Sequence, residues 1–420
     1  MLDYDDWLKQ DHRHPHDAAH QGMHVFKPEP LLAVIDPGIT PYAGSTIWLQ
    51  AHRQSELRFR PAQDATGLQR FGTLSAAWVL QVLVPLLVII LGFNMFAGER
   101  ELGTLRQTLS LGVRPSTLLW GKAGALGLAV AVISLPVLLM AVVAILSSPV
   151  GTARGDVLVR LVLLALGYAV YFALSIFVVL GVSAFARSSR IALTVLLGLW
   201  IVVVTLARRG VSDLAREWYP APTRYQFNKA LDAGLDTEYK RVWQERFGTD
   251  KRWGSDLPLS QWGLALKVDD HAGYQVSDDH FGKLWDAYAA QQRAQELIGF
   301  AVPILALRAF SMGIAGTDFA AHRRFSVAAE QQRRLMQNLM SEDLVQHADS
   351  RSERHFSYQA GRELWATVPR FAYAPADAGT ALRENIVSAV WFQSKPSEKR
   401  FLTRPKSATT RPSVRLPTSD

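Results

Sequence analysis

Four long apolar stretches, residues 74–97, 118–146, 157–186 and 191–207, limit what this chain can fold into more than any other feature. Each reaches the roughly 17–25 residues that a helix needs to cross the hydrocarbon core of a bilayer. None carries Asp, Glu, Lys or Arg in its middle; Lys122 and Arg160 lie near ends, where long side chains can reach lipid headgroups. The expectation is a membrane α-helical fold, a polytopic helix bundle with four spans and the lipid bilayer as its first partner.

The rest of the chain divides around that block. Residues 1–73 form a polar N-terminal extracytoplasmic segment rich in His and Pro, and residues 74–207 are the four-span membrane domain. Residues 208–393 carry mixed charge and many Trp, Tyr and Phe, which predicts a folded, mainly helical extracytoplasmic domain. Its helical patterns cover residues 237–247, 278–294 and 326–349; in the last, Leu335, Leu339 and Leu344 share a face and Glu330 precedes Arg334 by one turn. Residues 297–307 are apolar but hold Pro303 and stop at Arg308, so a buried or interfacial helix is expected there rather than a span. Residues 394–420 read as a disordered basic tail. That tail holds seven Lys or Arg against Glu398 and Asp420, five of the chain's net +8, so the positive charge does not imply a nucleic-acid partner. With no cysteine, disulfides, thiol catalysis and Cys-ligated metal are excluded.

Basic residues in the short loops set the orientation. Arg100, Arg106, Arg114 and Lys122 lie between the first two spans, Arg187 and Arg190 between the last two, but only Arg154 and Arg160 around the middle loop. The two richer loops are expected in the cytoplasm and both flanking regions outside, although Arg208 and Arg209 run against the trend.

The segment "FAGERELGTLRQTLSLGVRPSTLLWGK", Phe96 to Lys122, is longer than a plain connection requires. Leu102, Leu105 and Leu109 recur at helical spacing, Glu99 and Glu101 sit in the first turn, Gly112 is placed to end the helix and Pro115 to begin the next. This predicts an amphipathic helix over 99–111 on the inner membrane surface, leucines towards lipid or spans and charges towards the cytoplasm.

"ERELGTLRQTLS" and the "LLWGK" that follows resemble the segment of ABC-2 type transporter permeases that forms the coupling helix. "HDAAHQGMHVFKPEPLLAVIDPG", "RFGTLSAAWVLQVLVPLL" and "FSMGIAGTDFAAHRRF" resemble the branch of that family with long extracytoplasmic domains of unknown function. The resemblance covers roughly residues 10–375 and implies a permease subunit in a bacterial inner membrane, pairing with itself or a sister permease. It further implies that Glu99, Glu101, Gly103 and Thr104, with Arg100 and Arg106 as ion-pair partners, couple the spans to a separate ABC ATP-binding subunit. ATP and Mg would be bound by that subunit, leaving this chain with no cofactor and no enzymatic activity. Pro85 and Pro136 are candidate hinges.

Family members normally have six spans, one near each terminus. This chain is therefore expected to lack the first and last, as a truncated or frameshifted permease or one completed by a separately encoded span. The alternative readings are a non-functional truncation and a non-transporting scaffold that recruits envelope proteins.

Other patterns carry less. His12, His14, His16, His20 and His24 suggest a metal patch, but Pro15 argues for a loop and no helical pair orders the ligands, so no metal is assigned. "LGVRPSTLLWGKA" fails the phosphate-loop spacing, and neither H-E-x-x-H nor G-x-S-x-G occurs, which leaves no hydrolase chemistry. Gln81, Asn94, Tyr168 and Tyr171 are expected to bond between spans, and the outer tryptophans to fill a core.

Overall fold

The computed structural model describes residues 3–60, 74–148, 154–253, 261–347 and 358–390; the expected basic tail, 394–420, lies outside the described residues. All four expected spans are helical, and a fifth stretch is also long and apolar enough by length and composition to cross a membrane. The five are Ala76–Glu101, Pro115–Leu146, Arg154–Phe185, Ser189–Trp218 and Pro303–Gln346. The fifth is two helices, Pro303–Ala315 and Phe319–Gln346, separated by Gly316 in the left-handed region. Its apolar first part is 13 residues long, roughly 20 Å, too short to cross alone. Leu307, Ile314 and Ala315 nonetheless join the bundle's core. The expectation of a short buried helix therefore holds for Pro303–Ala315.

That helix can approach the third span because the span offers Gly167. A Cβ built there would lie 2.5 Å from Phe310 Cε1, whereas one on Gly181 of the same helix would meet nothing within 4 Å. Gly167→Leu is expected to destabilise by about 1–3 kcal/mol through overpacking. Gly181→Ala should be neutral or slightly stabilising. Thermal unfolding in detergent checks the pair, and equal effects would remove the close-approach argument.

The first span is not a uniform helix. A π-helical turn, Val79–Leu83, leads into Val84–Gly92, and Pro85 has no N–H to offer the carbonyl of Gln81. Tyr171 Oη donates to that carbonyl at 2.9 Å, and Trp200 Nε1 donates to the Val82 carbonyl at 3.1 Å. Backbone acceptors loosened around the proline are thus satisfied by the third and fourth spans. Gln81 Nε2 also donates to Tyr168 Oη at 3.0 Å. Gln81, Tyr168 and Tyr171 do bond between helices, as expected. Tyr171→Phe is expected to cost about 1 kcal/mol in the same melting assay; no loss would mean that the Gln81 carbonyl is satisfied without Tyr171.

Away from the bundle stand three long helices. Arg224–Phe247 and Trp262–Gly299 contain the predicted patterns 237–247 and 278–294, while Phe319–Gln346 starts before the predicted 326–349 and ends short of its last three residues, of which 348–349 lie outside the described residues. The buried face of the last is Phe325, Ala329, Met336, Met340 and Leu344, while Leu335 is 40% exposed. The expected leucine stripe is therefore only partly right, because a completely buried Arg333, paired with Glu330 at 2.7 Å, occupies the face that hydropathy alone assigns to apolar residues. Arg334 also pairs with Glu330, at 2.7 Å, as the spacing predicted. Trp243 and Trp365 are fully buried, the former donating to Asp269 at 2.6 Å.

The N-terminal segment shares a core with the C-terminal part of this helical region. Trp7, Met23, Val25, Ile47, Leu49 and Leu57 pack with Phe325, Met336, Met340, Trp365 and Val368. Met23–Phe26 and Thr46–Leu49 form a two-stranded antiparallel ribbon, Met23 opposite Leu49, within this otherwise helical unit. Sequence order separates residues 1–73 from 208–393; packing joins the two across the membrane block between them. Pro15 does not mark a loop. It is the first residue of the helix Pro15–Gln21, where its missing N–H costs nothing.

Candidate functional site

The Phe96–Lys122 segment is two short helices rather than one: Ala97–Glu101 and Thr104–Ser110. Gly103 has φ +75°, a left-handed conformation that breaks the continuous 99–111 helix expected from the leucine spacing. Gly112, at φ +84°, follows the second helix, and Pro115 starts the second span, both as predicted. The leucine stripe is divided as well. Leu105 packs against the bundle core, but Leu102 is 79% and Leu111 84% exposed.

The charged residues of the first short helix reach back to the spans. Lys122, at the start of the second span, donates to the Met95 carbonyl and to Glu99 Oε1, both at 2.6 Å, and lies 4.9 Å from the centre of the Phe96 ring. Its side chain is only 15% exposed, so it is an internal clamp and does not extend to headgroups. Arg100 donates to the carbonyls of Ala184 and Ala186, at the C-terminal end of the third span. Glu101 accepts from the Ser189 N–H at 3.1 Å and Ser189 Oγ at 2.6 Å, at the N-terminal end of the fourth. Arg100 and Glu101 each meet a helix end of opposite partial charge. Ser183 Oγ, fully buried, accepts from the Phe96 and Ala97 N–H groups at 3.0 and 3.2 Å, satisfying donors at a helix start. All four spans are thereby fastened to residues 95–101.

The six residues expected to couple therefore separate at Gly103, the break itself, into Glu99, Arg100 and Glu101 before it and Thr104 and Arg106 after it. Glu99, Arg100 and Glu101 are engaged with the spans, while Thr104 donates to the Glu99 carbonyl at 3.2 Å across the Gly103 break. Arg106 is exposed on the second short helix, beside Leu102 and Leu111 at its two ends. Leu111 and the clamp residues Lys122, Ser183 and Ser189 were not singled out by sequence reasoning as members of the site. The only available signal for Ser189 was its place directly after a span-linking Arg–Ser pair.

The opposite end of the bundle is fastened by another polar joint. Arg160 is buried; its Nε donates to Asp156 at 2.7 Å, Nη1 to the Ile314 carbonyl at 2.7 Å and Nη2 to the Ala376 carbonyl. Asp156 in turn accepts from the Ala378 N–H. The expectation that Arg160 extends to the headgroups is thus corrected: its donors are used by protein carbonyls. Nearby, Asp36 accepts from Ser311 Oγ at 2.5 Å, and Ser311 is 3.2 Å from Tyr168 Oη. Burial pushes the Asp36 carboxyl up from its ordinary value, against the hydrogen bonds from Ser311 and the Gly38 N–H. A cavity of about 660 Å³ lies between the second and third spans, walled mainly by apolar side chains including Leu161, Leu164 and Phe172, with Gly124 and Gly127 opposite.

Comparison with known families gives two matches. The family model described as ABC-2 family transporter protein matches residues 9–234. A domain of unknown function, DUF3526, matches residues 222–374, beginning just before the helix Arg224–Phe247. No curated protein and no solved structure matches the chain.

Proposed function

This chain belongs to the ABC-2 family of transporters, and from that membership we infer that it is the permease subunit of an ATP-driven exporter in a bacterial inner membrane. It is a multi-pass membrane protein and a membrane transport component. In the proposed assembly it pairs with a second permease, its own copy or a sister chain, and with separate ABC ATP-binding subunits that carry ATP and Mg. The observation that best supports this reading is the construction of residues 95–122. The ends of all four spans converge on Lys122, Glu99, Arg100, Glu101 and Ser183, while Leu102, Arg106 and Leu111 stand exposed beyond them.

The proposed mechanism divides the labour along that line. Thr104–Ser110 is the docking surface for the ATP-binding subunit, Gly103 is the joint, and Ala97–Glu101 transmits displacement to the span ends. A docked partner shifts the bundle only if its contacts differ between inward- and outward-facing states. Stapling at 95–101 makes a push at 104–110 such a contact, since the span ends cannot stay behind.

The test is purification of the full chain from its native membrane in mild detergent. Co-purification of an ATP-hydrolysing subunit, at one copy per permease, is expected. A folded chain that retains an envelope protein but no such subunit would instead be a recruiting scaffold, and the exporter reading would fall.

A further inference from the structure

We propose that His16, His20 and His52 form a binding site for a divalent transition cation of the zinc class, on the outer unit at the end of the bundle remote from Phe96–Lys122. The ligand atoms of the three imidazoles all lie within 4.8 Å of one another. His16 and His20 are one turn apart on the helix Pro15–Gln21, with their Nε2 atoms 3.1 Å apart. His52 enters from the loop after the second ribbon strand, its ring centre 5.0 Å from that of His16 and 5.1 Å from that of His20. Tetrahedral zinc with nitrogen ligands at about 2.0–2.1 Å requires N···N separations of roughly 3.4 Å, reachable by small rotations of these rings.

Three further features point to a ligand. His52 is a non-glycine residue at φ +64°, a conformation that costs free energy and brings its ring to the other two. Behind it stands Asp270, 2% exposed, with Oδ2 accepting from Ser341 Oγ at 2.9 Å. Its other oxygen has no hydrogen-bond partner and lies 3.7 Å from His52 Nδ1. A carboxylate behind a ligating imidazole is the arrangement that fixes its tautomer, leaving Nε2 for the metal. Finally, His16 Nδ1 is buried without a hydrogen-bond partner. A cavity of about 440 Å³ adjoins His16 and His52, bounded by Tyr239, Arg252, Trp253 and Trp262, and leaves room for a water or an incoming donor in the fourth position. Imidazole sets suit zinc, copper and nickel rather than magnesium or calcium. The site would tie Pro15–Gln21 and the His52 loop to the helix Trp262–Gly299.

Titration of the chelator-treated full chain in detergent with Co²⁺ tests this directly. One Co²⁺ per chain is expected, with the intense visible bands of a four-coordinate ion and displacement by Zn²⁺. His52→Asn, which tolerates a left-handed backbone, is expected to weaken binding at least tenfold while melting as a folded protein. Asp270→Asn should weaken it roughly 10–100-fold through the ligand's orientation. His24→Ala, whose ring stacks on Trp48 6.0 Å away, should bind as the wild type does. Unsaturable or weak six-coordinate spectra, unchanged affinity in His52→Asn, or equal loss in His24→Ala would each overturn the site.

Discussion

Changing Leu102 and Leu111 together to Asp is expected to strip the proposed ATP-binding subunit from the purified chain while the chain itself stays folded. Both side chains are largely free of contact with the rest of the chain, 79% and 84% exposed, so their removal takes nothing from the bundle core. Leu102, just before the Gly103 joint, and Leu111, just after Ser110, flank a seven-residue helix that presents Arg106, which gives what a docking face needs: apolar anchors with a charged rim. Truncating an interface anchor typically costs about 2 kcal/mol or more, roughly a 30-fold loss of affinity for the pair's partner. Co-purification and microscale binding to the isolated subunit measure it. Glu101→Gln should behave differently. It weakens the hold on the Ser189 N–H and hydroxyl without touching the exposed face, so the subunit should remain bound while transport falls. Retention of the partner by the double Asp variant would end the assignment of Thr104–Ser110 as the docking surface.

Arg160→Leu is expected to produce the largest loss of stability of any single substitution considered. Arg160 joins the third span to the Ile314 and Ala376 carbonyls and to Asp156, which itself holds the Ala378 N–H. Removing the guanidinium leaves the buried Ile314 carbonyl and the partly buried Ala376 carbonyl without this donor and the carboxylate without its counter-charge, on the order of 3 kcal/mol even with Asp156 partly solvated. Thermal unfolding should show a lowered midpoint, and limited proteolysis should show cleavage in the stretch that includes Ala376 and Ala378. Combining Arg160→Leu with Asp156→Leu removes the orphaned charge and should recover part of the loss. If the double variant melts no higher than the single one, the ion pair is not the source of the effect.

Much of this architecture is visible in the chain because hydropathy and helix punctuation act locally. The four spans, Pro115 at a helix start and Gly112 beyond a helix end all follow from neighbouring residues. Gly103 shows the limit. Its neighbours complete a leucine repeat, yet the chain turns left-handed there, just after Glu101 is fastened to Ser189. Lys122 and Arg160 were equally ambiguous: a basic residue near a span end can extend to headgroups or turn inward, and the choice depends on which carbonyls lie opposite.

The histidines divide in the same way. His16 and His20 stand four apart in the sequence, yet Pro15 concealed the helix that aligns them, and His52 is distant along the chain. The sequence by itself determined that this is a polytopic helical membrane protein with a special segment between its first two spans, because burial in lipid demands long uninterrupted apolar helices. Tertiary structure decided which charges clamp and which leucines stay exposed. It also decided that the two polar flanks share one core and that three imidazoles meet. Those outcomes depend on contacts between residues up to hundreds of positions apart, such as Trp7 and Trp365, which no local pattern encodes.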